Sequence, residues 1–400
     1  MTECLKIENL YKIFAKSPQQ AMQMLAAGSN KEEVLAKTGA VVGLNNVSLS
    51  VPAGAIYMIM GLSGSGKSTL ARCINRLNEP SSGKILLDGE DIVGLDEERL
   101  REIRRTRISM VFQHFALLPN KRVIENTEFG LKLRGVPLQE RRRRAEEVLS
   151  VVGLSRWAFH FPHELSGGMR QRVGLARALA TDADVLIMDE AFSALDPLIR
   201  TEMQDELLRL QRTFKKTILF ITHDFQEALK LGTRIAIMSE GELVREGTPQ
   251  QIVLEPKSDY VAAFTREIDR SRLFDARSVM TAAHAVTRMQ DGGVAGKFLV
   301  SGEAAFVVDS DDRILGALSA VDQLKANSGT SLNSLISSDY IAVPASAKLV
   351  DVARVYRTGQ PMAVIDDSGK LIGTLAAEQI LSRIAATSSP QPSSFGDQNV

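Results

Sequence analysis

The chain has 400 residues, more than one ordinary hydrophobic core organises, so we expect two domains. Its 48 basic residues equal its 48 acidic residues, and a neutral chain is a poor candidate for a general nucleic-acid binder. The two cysteines, Cys4 and Cys73, exclude a disulfide framework. The N-terminus does not resemble a signal peptide, and the longest uncharged stretch, 41–66, is too often interrupted by polar residues to span a membrane. Any membrane role is therefore expected to come through a partner.

Strands and helices alternate over the first two thirds of the chain. Leu5–Leu10 alternates like an edge strand, and residues 18–39 are predicted to form two short helices, with a capping box at Ser29–Glu32. Three short apolar runs are each followed by polar residues: Ala55–Met60, Val185–Met188 and Thr217–Ile221. Continuously apolar strands are typical of parallel sheets covered by helices, so we predict an α/β domain with a mostly parallel sheet.

A glycine-rich loop follows the first apolar strand and opens a helix. Its sequence is Gly61-Leu62-Ser63-Gly64-Ser65-Gly66-Lys67-Ser68-Thr69. Glycines allow successive backbone N–H groups to turn toward one centre, where a phosphate is stabilised by the helix N-terminus. Lys67 would then contact the β- and γ-phosphates, and the Ser68 hydroxyl would bind Mg²⁺. This loop predicts a nucleoside triphosphate site that also binds Mg²⁺.

Two consecutive acids end the second apolar strand. A buried strand would deliver Asp189 to the sheet edge, where it can hold Mg²⁺ through water. Glu190 would lie beside the γ-phosphate, placed to orient and deprotonate an attacking water. Consecutive acids often form only a solvated turn, but the phosphate-binding loop in the same chain favours catalysis.

The segment Leu165-Ser166-Gly167-Gly168-Met169-Arg170-Gln171 resembles the signature motif of ATP-binding-cassette (ABC) ATPases. The resemblance implies a P-loop ATPase domain with a helical signature subdomain, and a second copy of the chain as partner. Two subunits would sandwich two ATP molecules, each held by the loop of one subunit and the signature residues Ser166, Gly167 and Gly168 of the other.

Four further positions match the ABC pattern in order. Gln113 resembles the glutamine that contacts Mg²⁺ or water, Asp196 resembles the D-loop aspartate at the nucleotide site, and His223 resembles the switch histidine on the γ-phosphate. Phe14 stands where the family has an aromatic residue stacked on adenine; Tyr11 is nearby, and an ordinary core residue is the alternative.

A narrower resemblance is to the ATPase subunit of glycine betaine/proline betaine importers. It rests on the segment Glu190–Arg200, the helical insert at 18–39 and a C-terminal duplication in which Ala305–Leu318 aligns with Met362–Leu375. The duplicated segments resemble a pair of CBS domains, an α+β repeat. The resemblance implies ATP-driven uptake of an osmoprotectant, with a membrane permease, a separate substrate-binding protein and a peripheral place on the cytoplasmic face of the inner membrane.

Other functions remain open at this point. The cargo could be proline, choline or carnitine instead. A soluble ABC ATPase of translation or DNA repair is less consistent with a single signature placed 52 residues after Gln113, since repair ATPases insert a long coiled coil there. A nucleotide sensor without activity is disfavoured by the presence of Glu190 and His223.

We predict four segments along the chain: an ABC domain over 1–268, a linker over 269–277, a CBS pair over 278–385 and a disordered tail over 386–400. The first CBS repeat carries Gly316-x-x-Ser319-x-x-Asp322, a pattern that resembles a ribonucleotide site. The second repeat has Ala376 and Gln379 instead, so at most one such site is expected. Ser319 and Asp322 could equally be a helix N-cap and a first-turn acid.

Overall fold

The computed structural model describes residues 3–112, 116–266, 268–283, 286–290, 293–294, 304–328, 330–331 and 334–385. Gln113 and the predicted tail lie outside these residues. The chain divides into two compact units, Met1–Phe264 and Thr265–Val400. Among the described residues, no helix is both long and apolar enough to cross a membrane.

The first unit is an α/β domain of ten strands and twelve α-helices in its described part. The strands are β1 (Glu3–Phe14), β2 (Val41–Pro52), β3 (Ile56–Met60), β4 (Ser82–Leu87), β5 (Glu90–Asp91), β6 (Ile108–Phe112), β7 (Val185–Asp189), β8 (Thr217–Thr222), β9 (Arg234–Ser239) and β10 (Glu242–Gly247). The helices are α1 (Gln19–Ala26), α2 (Lys31–Thr38), α3 (Lys67–Ile74), α4 (Glu97–Thr106), α5 (Val123–Thr127), α6 (Phe129–Leu133), α7 (Leu138–Val151), α8 (Gly167–Ala180), α9 (Pro197–Phe214), α10 (Phe225–Leu231), α11 (Pro249–Leu254) and α12 (Asp259–Thr265).

A six-stranded sheet in the order β10-β9-β3-β8-β7-β6 carries the core of this unit. All its neighbouring pairs are parallel except β9 with β10, which confirms the predicted parallel sheet. Strands β3, β7 and β8 are buried along their whole length because helices cover them. Their carboxyl ends meet at one edge, where Asp189 pairs in register with Ile221.

Strand β1 is not an edge strand, so that prediction is wrong. It lies between β2 and β4 in an antiparallel sheet of order β2-β1-β4-β5. Its alternating pattern reflects burial of one face, which a central antiparallel strand shares with an edge strand.

The segment 18–39 forms the two predicted helices, α1 and α2, which enclose a small apolar cluster including Ala21 and Val34. The cap of α2 is displaced by one residue from its predicted place. Asn30 Oδ1 accepts a hydrogen bond from Glu33 N at 2.8 Å, and Asn30 N donates to Glu33 Oε2 at 3.3 Å. Serine and asparagine cap helices about equally well, so the adjacent Ser29 could not be distinguished by residue type.

The second unit is an α+β domain. Its described elements are α13 (Arg270–Leu273), β11 (Val286–Gln290), β12 (Gly293–Val294), β13 (Ala305–Val308), β14 (Ile314–Leu318), α14 (Ala320–Asn327), β15 (Ile341–Pro344), α15 (Leu349–Val355), β16 (Met362–Ile365), β17 (Leu371–Leu375) and α16 (Ala377–Ala385). The expected linker at 269–277 contains α13 and is attached to this unit, because Ala276 N donates to Ala347 O at 2.8 Å and Leu349 N to Phe274 O at 3.0 Å.

The duplication seen in the sequence is also present in the structure. Strand β11 runs parallel to β13 and β13 antiparallel to β14, and the same relations join β15, β16 and β17. Each half forms one β-bridge with a segment outside it. In the second half, Thr374 pairs with Thr281, which precedes the first half. In the first half, Ala317 pairs with Ser337, which follows the first half. Arg313 and Lys370, equivalent positions of the two repeats, pair with one another.

Candidate nucleotide site

The phosphate-binding loop connects β3 to α3, and two of its glycines are required by close neighbours. Gly61 has φ +150°, and a Cβ there would lie 2.2 Å from Met238 O. Gly66 has φ +101°, and its Cβ would lie 2.6 Å from Gly43 O. A side chain at either position would displace backbone, so the glycines allow the loop to turn tightly against β2 and β9.

Lys67 starts α3 and lies inside this loop, only 5% exposed. Its Nζ donates hydrogen bonds to Gly61 O and Leu62 O, both at 2.8 Å. Burial lowers the pKa of Lys67, and the nearby carboxylates of Glu190 and Asp189 oppose that shift. The ammonium is therefore held within the loop that the sequence predicts to bind phosphate.

Ser68 and Asp189 form the candidate metal site. Ser68 Oγ donates to Asp189 Oδ1 at 3.0 Å, although the two residues lie on different elements. Burial raises the pKa of Asp189, with the hydrogen bond from Ser68 opposing the shift. A hydroxyl and a carboxylate at this spacing fit Mg²⁺, which prefers oxygen ligands. Among the described residues, no group of three or more His, Cys, Asp or Glu side chains could hold a metal ion. Mg²⁺ usually takes only one or two carboxylates together with substrate phosphates and water, so such a group is not required.

Glu190 and His223 meet at the same sheet edge. Glu190 Oε2 lies 3.3 Å from His223 Nδ1, and Glu190 N donates to Ile221 O at 3.0 Å. Glu190 has φ +47°, a left-handed conformation that is uncommon for a residue with a side chain. Such conformations concentrate at functional sites.

Phe14 lies beside the start of α3. A Cβ on Gly43 would lie 2.8 Å from the Phe14 ring and 3.1 Å from the Thr69 methyl group, so Gly43 lies between them. The ring is 43% exposed, and Lys12 Nζ lies 4.8 Å from its centroid. An exposed ring at this place is consistent with stacking on a base and less consistent with a core residue.

The signature residues lie on a different part of the unit. Ser166 is exposed and caps α8, accepting a hydrogen bond from Met169 N at 3.3 Å. Gly168 is buried, and a Cβ there would lie 2.4 Å from the Ile199 side chain. Asp196 caps α9 by accepting from Ile199 N at 3.1 Å.

The structure therefore brings together part of the predicted site. The phosphate-binding loop, Asp189, Glu190 and His223 share one edge of the sheet. Within the described part of the chain, no hydrogen bond or ion pair joins Ser166 or Asp196 to that loop. Sequence reasoning missed one residue at the loop, Tyr260 of α12, whose hydroxyl oxygen lies 3.2 Å from Leu62 N; no local motif marks it.

The basic run at 141–144 is a salt-bridged helix face. Arg142 Nε lies 3.1 Å from Glu128 Oε2, and Arg143 pairs with Glu147 at 2.6 Å. These partners neutralise the charge that a nucleic-acid patch would need.

In the second unit, Ser319 caps α14 and donates to Asp322 Oδ2 at 2.6 Å. Asp322 also pairs with Lys325 at 3.1 Å, so both predicted nucleotide contacts are engaged locally. An open cleft of about 280 Å³ instead lies at the second repeat, lined by Thr281, Gln379, Ser382 and Arg383 among others.

Comparison with known proteins agrees with this geometry. A family model for the ABC transporter matches residues 44–193, and one for the CBS domain matches residues 332–386. The glycine betaine transport ATP-binding protein OpuAA of Bacillus subtilis is 45% identical over 386 residues, which cover 95% of this chain and 92% of that protein. The chain belongs to the family of ABC transporter ATP-binding proteins. Like other members of this ABC family, it is an ATP hydrolase coupled to transport.

Two further relatives place the chain within the ABC family. The trimethylamine N-oxide transport system ATP-binding protein TmoW of Ruegeria pomeroyi is 51% identical over 272 residues, covering 68% of this chain and 80% of that protein. The solved dimeric structure of the ATP-binding cassette MJ0796, in a post-hydrolysis state bound to ADP and Pi, superposes with a TM-score of 0.52 at 33% identity. It covers 61% of this chain and 98% of that cassette.

Proposed function

We propose that the chain hydrolyses ATP to drive import of glycine betaine, proline betaine or a related quaternary amine. The observation that supports the activity most directly is the meeting of Lys67, Ser68, Asp189, Glu190 and His223 at one sheet edge. The cargo assignment rests on OpuAA, whose similarity extends through the C-terminal unit as well as the ATPase unit.

In this proposal the residues of the loop bind and orient the triphosphate. Lys67 would exchange its carbonyl partners for phosphate oxygens, and backbone N–H groups of the loop and of the start of α3 would donate to the phosphates. Ser68 and Asp189 would hold Mg²⁺, Asp189 through water, with Gln113 as a further candidate ligand. When bound, Mg²⁺ neutralises charge on the β- and γ-phosphate oxygens.

Glu190 is proposed as the general base. Its carboxylate accepts a proton from the attacking water and fixes that water in line with the γ-phosphate. His223 contacts Glu190 and is proposed to donate a hydrogen bond to the γ-phosphate. The two side chains therefore orient each other at the site of hydrolysis.

A second copy of the chain would complete each site. The exposed N-terminus of α8, with Ser166, Gly167 and Gly168, offers N–H donors to a phosphate bound on another subunit. Asp196 would lie at the same interface. An integral membrane permease and a substrate-binding protein are the further proposed partners, which places the chain at the cytoplasmic face of the inner membrane.

Trimethylamine N-oxide is the second candidate cargo. The comparison that favours it is TmoW of R. pomeroyi, which is 51% identical over 272 residues, whereas OpuAA is 45% identical over 386 residues. Both glycine betaine and trimethylamine N-oxide carry a trimethylated nitrogen, but a betaine has a carboxylate where trimethylamine N-oxide has an oxygen bound to nitrogen.

Uptake by the whole transporter tests the proposal. The transporter is reconstituted in vesicles with MgATP and its binding protein, and radiolabelled glycine betaine uptake is competed with proline betaine, carnitine, choline, proline and trimethylamine N-oxide. We expect glycine betaine uptake that is lost in the Lys67→Ala variant. ATP-dependent uptake of a different solute, with no betaine uptake, would overturn the cargo assignment but leave the ATPase assignment intact.

A further inference from the structure

Tyr260, on helix α12, contacts the phosphate-binding loop from nearly two hundred residues away in the sequence. Its hydroxyl accepts a hydrogen bond from Leu62 N at 3.2 Å and donates one to Met238 O, also at 3.2 Å. Met238 O is the same carbonyl that excludes any side chain at Gly61. The hydroxyl thus bridges the start of the loop to the end of β9.

The Leu62 carbonyl accepts two of the hydrogen bonds that form within the loop. It accepts from Lys67 Nζ at 2.8 Å and from Ser65 N at 3.2 Å. The Leu62 side chain is 58% exposed, so little packing holds it in place. The position of Leu62 therefore depends on backbone hydrogen bonds, and Tyr260 supplies the one to its N–H group.

The Tyr260 ring is itself fixed by aromatic neighbours. It meets the Phe264 ring edge-on, with centroids 5.2 Å apart and an interplanar angle of 83°. Phe264 in turn lies 6.2 Å from Phe225, the first residue of α10. Edge-to-face pairs stabilise a defined ring orientation, so the hydroxyl is presented to the loop at a fixed place.

We propose that Tyr260 is a positioning residue that preorganises the phosphate-binding loop and so raises its affinity for nucleotide. It does not reach the reacting atoms; it acts through Leu62 on the carbonyl and amide groups that orient Lys67. Preorganising a loop lowers the cost of ordering it on binding. Interactions made equally in the bound and transition states affect KM and leave kcat unchanged. This inference rests on the proposed nucleotide site.

The test compares the Tyr260→Phe variant with the wild type in the full-length chain. The substitution keeps the ring and removes only the hydroxyl. We expect KM and Kd for MgATP to rise about threefold to tenfold, the effect of one hydrogen bond, with kcat within about twofold. Tyr356→Phe is the matched control, because no described hydrogen bond involves the Tyr356 hydroxyl; it should change none of these constants.

Two further variants make the outcome decisive. Phe264→Leu keeps the Tyr260 hydroxyl but removes the aromatic ring that supports it, so it should raise KM by a smaller factor. If Tyr260→Phe does not fold, the KM of Phe264→Leu tests the proposal in its place. An unchanged KM in Tyr260→Phe, or a fall in kcat or melting temperature alone, would overturn the positioning role. Lys67→Ala tests the proposed nucleotide site separately from the role of Tyr260. If this variant still binds MgATP with wild-type affinity, the nucleotide site itself is misplaced.

Discussion

Glu190 Oε2 and His223 Nδ1 lie 3.3 Å apart although the residues are separated by a helix and a strand. They follow adjacent parallel strands, β7 and β8, whose register places Asp189 opposite Ile221. The backbone bond from Glu190 N to Ile221 O continues that register past the end of β7. The sheet, and not either side chain, therefore brings the acid and the histidine together.

The Glu190→Gln variant should bind ATP but hydrolyse it about 10²–10⁴-fold more slowly, the usual effect of losing a positioned base. Glutamine keeps the size of the side chain and the contact with His223, but it cannot accept the proton of water. The variant should also accumulate as an ATP-bound dimer. Steady-state ATPase assays and size-exclusion chromatography with MgATP check both effects, and near-normal turnover would exclude Glu190 from the chemistry.

The Asp189→Asn variant should be more stable than the wild type in the absence of nucleotide and Mg²⁺, yet inactive. Burial raises the folded pKa of Asp189 above its unfolded value of about 3.9, so its contribution to stability is fully present below that value and is lost as pH rises through the folded pKa. The melting temperature of Asp189→Asn should exceed that of the wild type at pH 7, and the difference should shrink toward pH 4.

Glu146→Gln is the matched control for that experiment, because Glu146 is an exposed acid of the same unit and its substitution makes the same change in charge. It should leave the melting temperature nearly unchanged at both pH values. A lower melting temperature for Asp189→Asn at pH 7 would show that the buried charge does not destabilise the fold.

The Ser166→Arg variant should retain ATP binding by the monomer and lose ATP-dependent dimerisation. A bulky cation at the exposed start of α8 would occupy the space proposed for a phosphate held by the second subunit. Ser166→Ala loses the same helix cap, worth about 1 kcal/mol, without added bulk, so the two variants should melt alike. Equilibrium binding and analytical ultracentrifugation separate the effects; loss of both in the arginine variant alone would indicate misfolding.

Removal of the second unit should leave any salt activation of transport unaltered. Residues 267–400 contain 12 basic and 15 acidic residues, so they offer little attraction to an anionic lipid surface. Ending the chain after Arg266 keeps α12 with the first unit. Uptake by reconstituted vesicles is then measured against ionic strength. Loss of activation with ATPase activity retained would contradict this expectation.

The site was predictable wherever its chemistry is local. The glycines and Lys67 form one continuous loop, and Glu190 directly follows a buried strand. His223 was assigned from the family resemblance, and its contact with Glu190 is visible only in the structure. Tyr260 was not predictable, because its partner Leu62 is 198 positions away and neither residue belongs to a pattern that links them. The central place of β1 was missed because alternation reports which face is buried and not how many neighbours a strand has.

Two isolated bridges of the second unit make each of its halves depend on a segment outside that half. Thr281 precedes the first repeat but pairs with Thr374 of the second repeat. Ser337 follows the first repeat and pairs with Ala317 of that same repeat. A cut or an inserted domain at 329–336 would therefore leave both halves without a bordering segment. Although the two halves are similar copies, neither is therefore expected to keep its strand layer complete when the other is deleted.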